Sequence, residues 1–301
     1  LHIRSGNLET AKQRFLATAN DAILALAGFG VIENHLMATL QYDVVQVWGQ
    51  SLLAGTFPES LKGDMAGLVA ESYRARQDFS GIVTFLQGGL RNLQPATGKR
   101  VAEGAIDRLL AARQVAGAEQ VVALLKRDFS AQPGFVESSV IYSIRICVAK
   151  GETREARRLL VQSIGTLPDG VAAGLQISIL DMFRKEKDLA EADRFCSEVI
   201  KHEKTASQLK LTAWRQLVLL ARDMEKPELV TERLLDFSRQ DFALAQKLNL
   251  LRTTMYFAME KGVKTTRREM LNLCQAFRSL AEGKPERSEV DNLILDACFL
   301  A

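Results

Sequence analysis

The chain has 301 residues, of which 47% are apolar, and a formal net charge of +3. This apolar content excludes a wholly disordered chain, and the charge is too small to indicate a nucleic-acid-binding protein by itself. The longest apolar run, 22–32, is shorter than the roughly 20 residues that a membrane-spanning helix needs.

No stretch alternates between apolar and polar residues for the length of a strand, so the sequence predicts helices throughout. In chain order, we predict a first helix without a partner at 7–26, a turn or helix break at Gly28 to Gly30, seven helix pairs, and a final helix at 287–299. The pairs are predicted at 31–41 with 43–54, 58–76 with 79–92, 98–113 with 115–129, 136–150 with 153–165, 170–186 with 189–203, 206–223 with 227–239, and 241–260 with 265–282.

The helix pairs recur about every 36 residues. A small or aliphatic residue is expected early in each second helix, and this series is Ala11, Val47, Ile82, Ala118, Ala156, Ala192 and Val230. A fixed period of this length is typical of stacked helical arrays, in which each unit packs on its neighbours. The small residue lets the two helices of a pair approach closely.

The units resemble tetratricopeptide repeats (TPRs). The unit at 140–169 carries the pattern of that family at Val140, Ile144, Cys147, Gly151, Ala156, Leu160 and Pro168, and the unit near 174–204 carries it at Gln176, Leu180, Phe183, Asp188, Leu189, Ala192 and Cys196. The resemblance covers nearly the whole chain, although the closing proline is mostly missing. It implies an all-α fold, a right-handed α-solenoid (superhelix) of about seven to eight TPR-like helix pairs, in a single continuous domain over 1–301.

In the TPR family the first helix of each pair lines a concave groove that binds a peptide or a partner domain. The resemblance therefore implies a non-catalytic scaffold for protein–protein interaction. The charged residues at the matching places are Asp64, Glu71, Arg74, Glu103, Asp107, Arg145, Asp181, Arg184, Arg215 and Arg222. These residues predict a groove that runs from acidic to basic, and stacked arginines suit carboxylate or phosphate groups. The alternative is that they form solvated helix faces with ordinary ion pairs.

A second resemblance keeps RNA binding open. The unit at 140–169 is also similar to a pentatricopeptide repeat, and that family implies that Ser143 and Asp169 would read a base. An enzyme built on a helical-repeat scaffold is a third class. The sequence offers no nucleophile elbow, no phosphate loop and no histidine at metal-ligand spacing, so we expect no catalytic residue, no metal and no cofactor.

The four cysteines, Cys147, Cys196, Cys274 and Cys298, lie far apart within apolar helical patterns. We expect buried free thiols and the cytoplasm or another reducing compartment. The last residues are apolar, whereas natural arrays end in polar caps. We therefore expect that the chain is part of a longer protein, or that its C-terminal end meets another surface, for example by self-association.

Overall fold

The computed structural model describes residues 8–18, 21–260 and 267–299. Within these ranges the chain forms sixteen α-helices, one 3-10 turn at Leu90–Asn92 and no β-strand, which confirms the all-α prediction. None of these helices combines the length and the apolar content that crossing a membrane requires. The helices are α1 (Leu8–Ala17), α2 (Ala22–Ala38), α3 (Tyr42–Leu53), α4 (Glu59–Ala75), α5 (Phe79–Gly89), α6 (Pro95–Ala111), α7 (Val115–Phe129), α8 (Phe135–Lys150), α9 (Thr153–Gln162), α10 (Asp169–Lys185), α11 (Leu189–Lys201), α12 (Ser207–Asp223), α13 (Pro227–Ser238), α14 (Leu244–Glu260), α15 (Arg267–Leu280) and α16 (Arg287–Phe299).

The chain divides into two compact units, Leu1–Glu152 and Thr153–Ala301. The first unit contains α1–α8 and the second contains α9–α16. Each has fully buried aromatic and aliphatic side chains of its own, such as Phe29 in the first unit and Phe183 and Phe237 in the second. The prediction of a single continuous domain stays a prediction.

One type of turn recurs along the chain. At each of six positions a residue in the left-handed conformation follows the end of a helix, and the next residue donates its N–H to the carbonyl oxygen five residues back, at 2.8 to 3.0 Å. This pattern is the Schellman motif, which satisfies carbonyl groups at a helix end. The left-handed residues are Leu40, Gln77, Arg113, Gly151, Lys187 and Glu225, at intervals of 36 to 38 residues.

The turns locate the small buried position of each second helix. It is the fifth residue after the left-handed residue, and Val45, Ile82, Ala118, Ala156 and Ala192 are completely buried there. The sequence prediction of Val47 for this series is wrong, because Val47 is 74% exposed and Val45 takes its place. Val45 and Ile82 are 37 residues apart, as are the turns at Leu40 and Gln77, whereas the predicted series placed Val47 only 35 residues before Ile82.

The N-terminal prediction is wrong in a second respect. The expected helix over 7–26 is divided between α1, which ends at Ala17, and α2, which begins at Ala22 and continues through Gly28 and Gly30, where the break was expected. Asp21 caps the start of α2, since its side chain accepts the N–H of Leu24 at 3.0 Å. Two glycines in a helix interior destabilise the helix by about 2 kcal/mol relative to two alanines. Helix α2 nevertheless continues through Gly28 and Gly30, and Phe29 between them is buried in the core.

The remaining helix ends agree closely with the sequence prediction. From residue 43 onward, every predicted end that falls among the described residues lies within three residues of the observed end. The predicted start at residue 265 lies outside the described residues. Helix periodicity and turn residues therefore located most elements correctly.

Three of the four cysteines are buried and form no disulfide, namely Cys147, Cys196 and Cys274. Burial raises the pKa of the Cys196 thiol well above its ordinary value. The side chain of Cys298 lies outside the described residues. The prediction of buried free thiols is confirmed for these three, and the reducing compartment stays a prediction.

Candidate functional site: a charged cleft on three first helices

The first helices of three successive pairs, α2, α4 and α6, together line a cleft of about 460 Å³ in the first unit. This size lies in the range of roughly 300–1,000 Å³ that is typical of ligand pockets. We call it the inner cleft. Its lining residues are Glu33, Gly63, Asp64, Gly67, Leu68, Glu71, Arg100, Val101, Gly104 and Arg108.

Glycines keep the floor of the inner cleft open. A Cβ atom at Gly67 would have no other atom within 4 Å, so the space above this residue is empty. At Gly63, in contrast, a Cβ atom would lie 2.6 Å from Nη2 of Arg100 and 2.8 Å from Cγ2 of Thr97. Gly63 therefore allows α6 to approach α4 closely, whereas Gly67 leaves room for an occupant.

One end of the inner cleft is neutralised by its own residues. Glu71 accepts hydrogen bonds from Nε of Arg74 at 2.9 Å and from Nε of Arg108 at 3.2 Å. The hydrogen bond from Arg74 is the largest cause that lowers the pKa of Glu71, and Arg108 adds to it. This carboxylate is ionised and already has its cations.

The other end carries two carboxylates that lack a cation. Glu33 and Asp64 line the inner cleft, and among the described residues neither takes part in an ion pair or a side-chain hydrogen bond. Burial raises the pKa of Glu33, and the charge of Asp64 raises it further. The two carboxylates therefore repel each other, and Glu33 is partly buried whereas Asp64 is exposed.

The other predicted groove residues of the first unit are engaged with each other. Lys99 pairs with Glu103 at 3.3 Å, and Arg145 pairs with Asp107. The guanidinium of Arg145 also lies over the ring of Tyr142, 5.4 Å from its centre. The pair of Arg145 with Asp107 joins α8 to α6, whereas the other two contacts each lie within one helix.

In the second unit the predicted basic residues are partly neutralised. Nε of Arg184 lies 3.0 Å from Oδ2 of Asp223, and Nη2 of Arg222 lies 3.0 Å from Oδ1 of the same carboxylate. Arg184 also contacts Asp181 at 3.1 Å. Arg215 forms no ion pair within the described part of the chain. The ordinary ion pairs of the alternative interpretation are thus present, and the acidic-to-basic gradient stays a prediction.

Sequence reasoning missed three charged residues of the inner cleft, Glu33, Arg100 and Arg108. A signal for Arg100 was available, because it lies thirteen residues before the left-handed Arg113, as Asp64 lies thirteen residues before Gln77. Glu33 could not be placed, because the expected break at Gly28 to Gly30 put the start of its helix nine residues too late. Asp223 was missed because its side chain acts across two helices.

The residues that would read a base in a pentatricopeptide repeat lie in different surroundings. The hydroxyl of Ser143 donates to the carbonyl oxygen of Ser139 in its own helix at 2.7 Å. Asp169 is exposed at the start of α10. The Ser143 hydroxyl is therefore occupied by backbone, which gives it no free donor for a base.

A second depression, of about 520 Å³, lies on the second helices of the second unit. Its carboxylates are paired internally, since Asp193 pairs with Arg233 and Glu198 lies 2.7 Å from Nη2 of Arg157. The part of the chain that the structure describes has no group of three His, Cys, Asp or Glu side chains suited to a metal ion. The inner cleft is therefore the stronger candidate site.

No protein-family model matches the chain, and no curated protein sequence matches it. The resemblance to TPRs stays a prediction.

Proposed function

We propose that this chain is a non-catalytic scaffold for protein–protein interaction, a TPR-like right-handed α-solenoid of about seven to eight helix pairs. A peptide or partner domain binds on the face formed by the first helices of the pairs. In the first unit the inner cleft is the receptor for this partner.

The recurring turn supports the proposal of a repeat architecture. Six turns share one backbone geometry at intervals of 36 to 38 residues, as expected when one supersecondary unit is repeated. Five of the six are followed by a completely buried residue at the same distance. Arrays of this type present extended surfaces for binding rather than a single catalytic centre.

The observation that carries the proposed function is the inner cleft itself. Three first helices converge on it, its floor at Gly67 is bare, and its walls combine charged groups with the apolar side chains of Leu68 and Val101. Apolar walls with a few polar groups are typical of binding sites.

Site-specific photo-crosslinking tests the proposal. The photoreactive residue p-benzoylphenylalanine replaces Gly67 in one variant and Gly88 in a matched control. Gly88 is exposed on α5, a second helix, and a Cβ atom there also has no other atom within 4 Å. Both positions therefore have room for a Cβ atom.

The variants are irradiated in the native lysate with and without nuclease, and adducts are identified by mass spectrometry. We expect a discrete protein adduct at Gly67, none at Gly88, and no effect of nuclease. The purified partner should then bind the chain and lose affinity when Gly67 is replaced by Trp. Equal adducts at both positions would refute the proposed function, and a nucleic-acid adduct at Gly67 would support RNA binding instead.

A further inference from the structure

We infer that the partner segment held in the inner cleft presents a basic side chain, Lys or Arg, whose cation lies between the carboxylates of Glu33 and Asp64. This inference rests on the proposed function and names the chemistry of the partner. Its basis is two neighbouring carboxylates that form no ion pair within the described residues, beside an open floor.

The first helices of the first unit, α2, α4, α6 and α8, carry seven carboxylates, and three of them have a cation from their own chain. Glu71 is paired with Arg74 and Arg108, Glu103 with Lys99, and Asp107 with Arg145. The other four, among the described residues, form no ion pair: Glu33, Glu59, Asp64 and Glu137. Two of these four, Glu33 and Asp64, are neighbours in the inner cleft, and a cation from outside compensates this pair.

The shape of the inner cleft suits a long aliphatic stem that ends in a cation. Gly67 is three residues after Asp64 on α4, so it lies on the same face about one turn away. The space above it is empty, and Leu68 and Val101 give the cleft an apolar wall. Lys and Arg bury their methylene groups on such surfaces while the charged head reaches polar partners.

The electrostatics of Glu33 favour an external cation. The pKa of Glu33 is raised because the group is partly buried and because Asp64 repels it. Both effects act against the ionised form, and a bound ammonium or guanidinium group opposes both. A basic side chain therefore gains more here than at an exposed carboxylate of ordinary pKa.

The presence of Arg100 distinguishes the inner cleft from a surface patch that carries only acidic residues. Its guanidinium lies beside Gly63 on the other wall of the inner cleft, and within the described residues it forms no ion pair. Its N–H groups are donors for the carbonyl oxygens of an extended segment. A segment that places a basic side chain toward Glu33 and its backbone toward Arg100 satisfies both walls.

A divalent metal ion fits this place less well. Ca²⁺ takes about six to eight oxygen ligands and Mg²⁺ about six in a near-octahedral arrangement. The described residues provide no group of three acidic, His or Cys side chains suited to a metal. Two carboxylates suit an ammonium or guanidinium group, which donates hydrogen bonds to one or two carboxylates.

The test uses immobilised peptide libraries in which one central residue is fixed as Lys, Arg, Glu or norleucine and the flanking residues are varied. The full chain is applied at pH 7, and bound protein is measured. We expect the Lys and Arg libraries to retain about tenfold more protein than the Glu and norleucine libraries, which corresponds to the gain of one charge-assisted contact.

Three variants are compared with the original chain. In Glu33→Gln with Asp64→Asn, and in Gly67→Leu, the preference for Lys and Arg should fall to within about twofold. The control, Glu119→Gln with Glu203→Gln, removes the same net charge at exposed positions outside the inner cleft and should keep the preference. Thermal midpoints verify that each variant is folded, and Asp64→Asn alone is the substitute if one is not.

The inference is overturned if the Lys and Arg libraries are not preferred, if the preference survives Glu33→Gln with Asp64→Asn, or if the control loses it equally. These results differ from a failure of the proposed function. A protein adduct at Gly67 without any preference for basic residues leaves the proposed function standing and removes only this inference.

Discussion

Lys187 and Gly151 occupy the same place in two equivalent turns, and exchanging their residue types tests the repeat directly. Lys187 has φ 59° and Gly151 has φ 79°, both in the left-handed region. The following residues close the turns with the same hydrogen bond, at 2.9 Å to Phe183 and 2.8 Å to Cys147. The two turns therefore have the same backbone and differ in the side chain.

Two opposing effects determine the result of Lys187→Gly. The left-handed conformation costs a non-glycine residue about 1–2 kcal/mol, and glycine removes this cost. Glycine also loses about 0.5–1 kcal/mol more backbone entropy on folding. The difference is a gain of about 0.5–1 kcal/mol in the free energy of unfolding. For a unit of this size that gain raises the thermal midpoint by roughly 1–4 °C.

The matched control is Lys210→Gly. Lys210 lies in the interior of α12, in a right-handed helix, and is only partly exposed. The same exchange there should lower the free energy of unfolding by about 1 kcal/mol, because glycine is a poor helix former. Urea and thermal unfolding, followed by circular dichroism, measure both variants.

The reverse change, Gly151→Ala, should lower the free energy of unfolding by about 1 kcal/mol. A thermal midpoint of Lys187→Gly that falls as far as that of Lys210→Gly would show that residue 187 is not left-handed. The common turn, and with it the structural support for the repeat, would then be refuted.

Three further predictions concern buried or charged positions. Gln176→Met should raise the free energy of unfolding by about 1–3 kcal/mol, because both amide atoms of this fully buried residue lack a partner among the described residues. Denaturant unfolding measures this change, and the control Gln208→Met, at an exposed position, should leave stability unchanged. A loss of stability in Gln176→Met would contradict the prediction. Ala156→Leu should cost about 1–3 kcal/mol by overpacking at a completely buried position, and an unchanged thermal midpoint would contradict it. Burial and Asp64 raise the pKa of Glu33 above its ordinary 4.5 in the folded chain. The folded state therefore binds the carboxyl proton of Glu33 more tightly than the unfolded state, and stability falls as the pH rises from about 4.5 through the raised pKa. Glu33→Gln should therefore raise the thermal midpoint at pH 7, with a gain that shrinks as the pH falls to about 4, and a gain independent of pH would contradict it.

The sequence predicted helices well because turn residues and apolar periodicity are local signals. The turn at Lys150 and Gly151 illustrates this, since its glycine marks the left-handed residue directly. The turn at Leu40 carries no such mark, because leucine rarely adopts the left-handed conformation. The register of α3 was consequently taken from spacing alone, which led to Val47 instead of Val45.

The break near the N-terminus was misplaced because local propensity competes with packing. Glycine weakens a helix interior, and Gly28 with Gly30 therefore indicated a turn. In the folded chain, Phe29 between them is buried, and the end of α1 is instead marked by the hydroxyl of Thr18, which bonds the carbonyl oxygen of Phe15 at 2.9 Å. Burial of an apolar stripe outweighs two glycines, and that balance is set by tertiary contacts.

The sequence could place residues on a helix face but could not determine which charges are already paired. Arg184 and Arg222 both appeared available, yet Asp223 contacts both of them. Asp64 looked no different from Glu71, and only the structure shows that Glu71 has two arginines while Asp64 has Glu33 as a neighbour. Pairing depends on distances between helices, which no spacing rule along the chain contains.

The recurring turn is defined by main-chain atoms, and six different residue types occupy its left-handed place. A stretch of chain that starts at one such turn and ends at the next begins and finishes in the same backbone conformation. When a gene segment that encodes such a stretch is duplicated or deleted, the flanking parts of the chain still meet at a turn of the same backbone conformation. The number of helix pairs, and with it the length of the face formed by their first helices, can change in whole steps during evolution or in the laboratory.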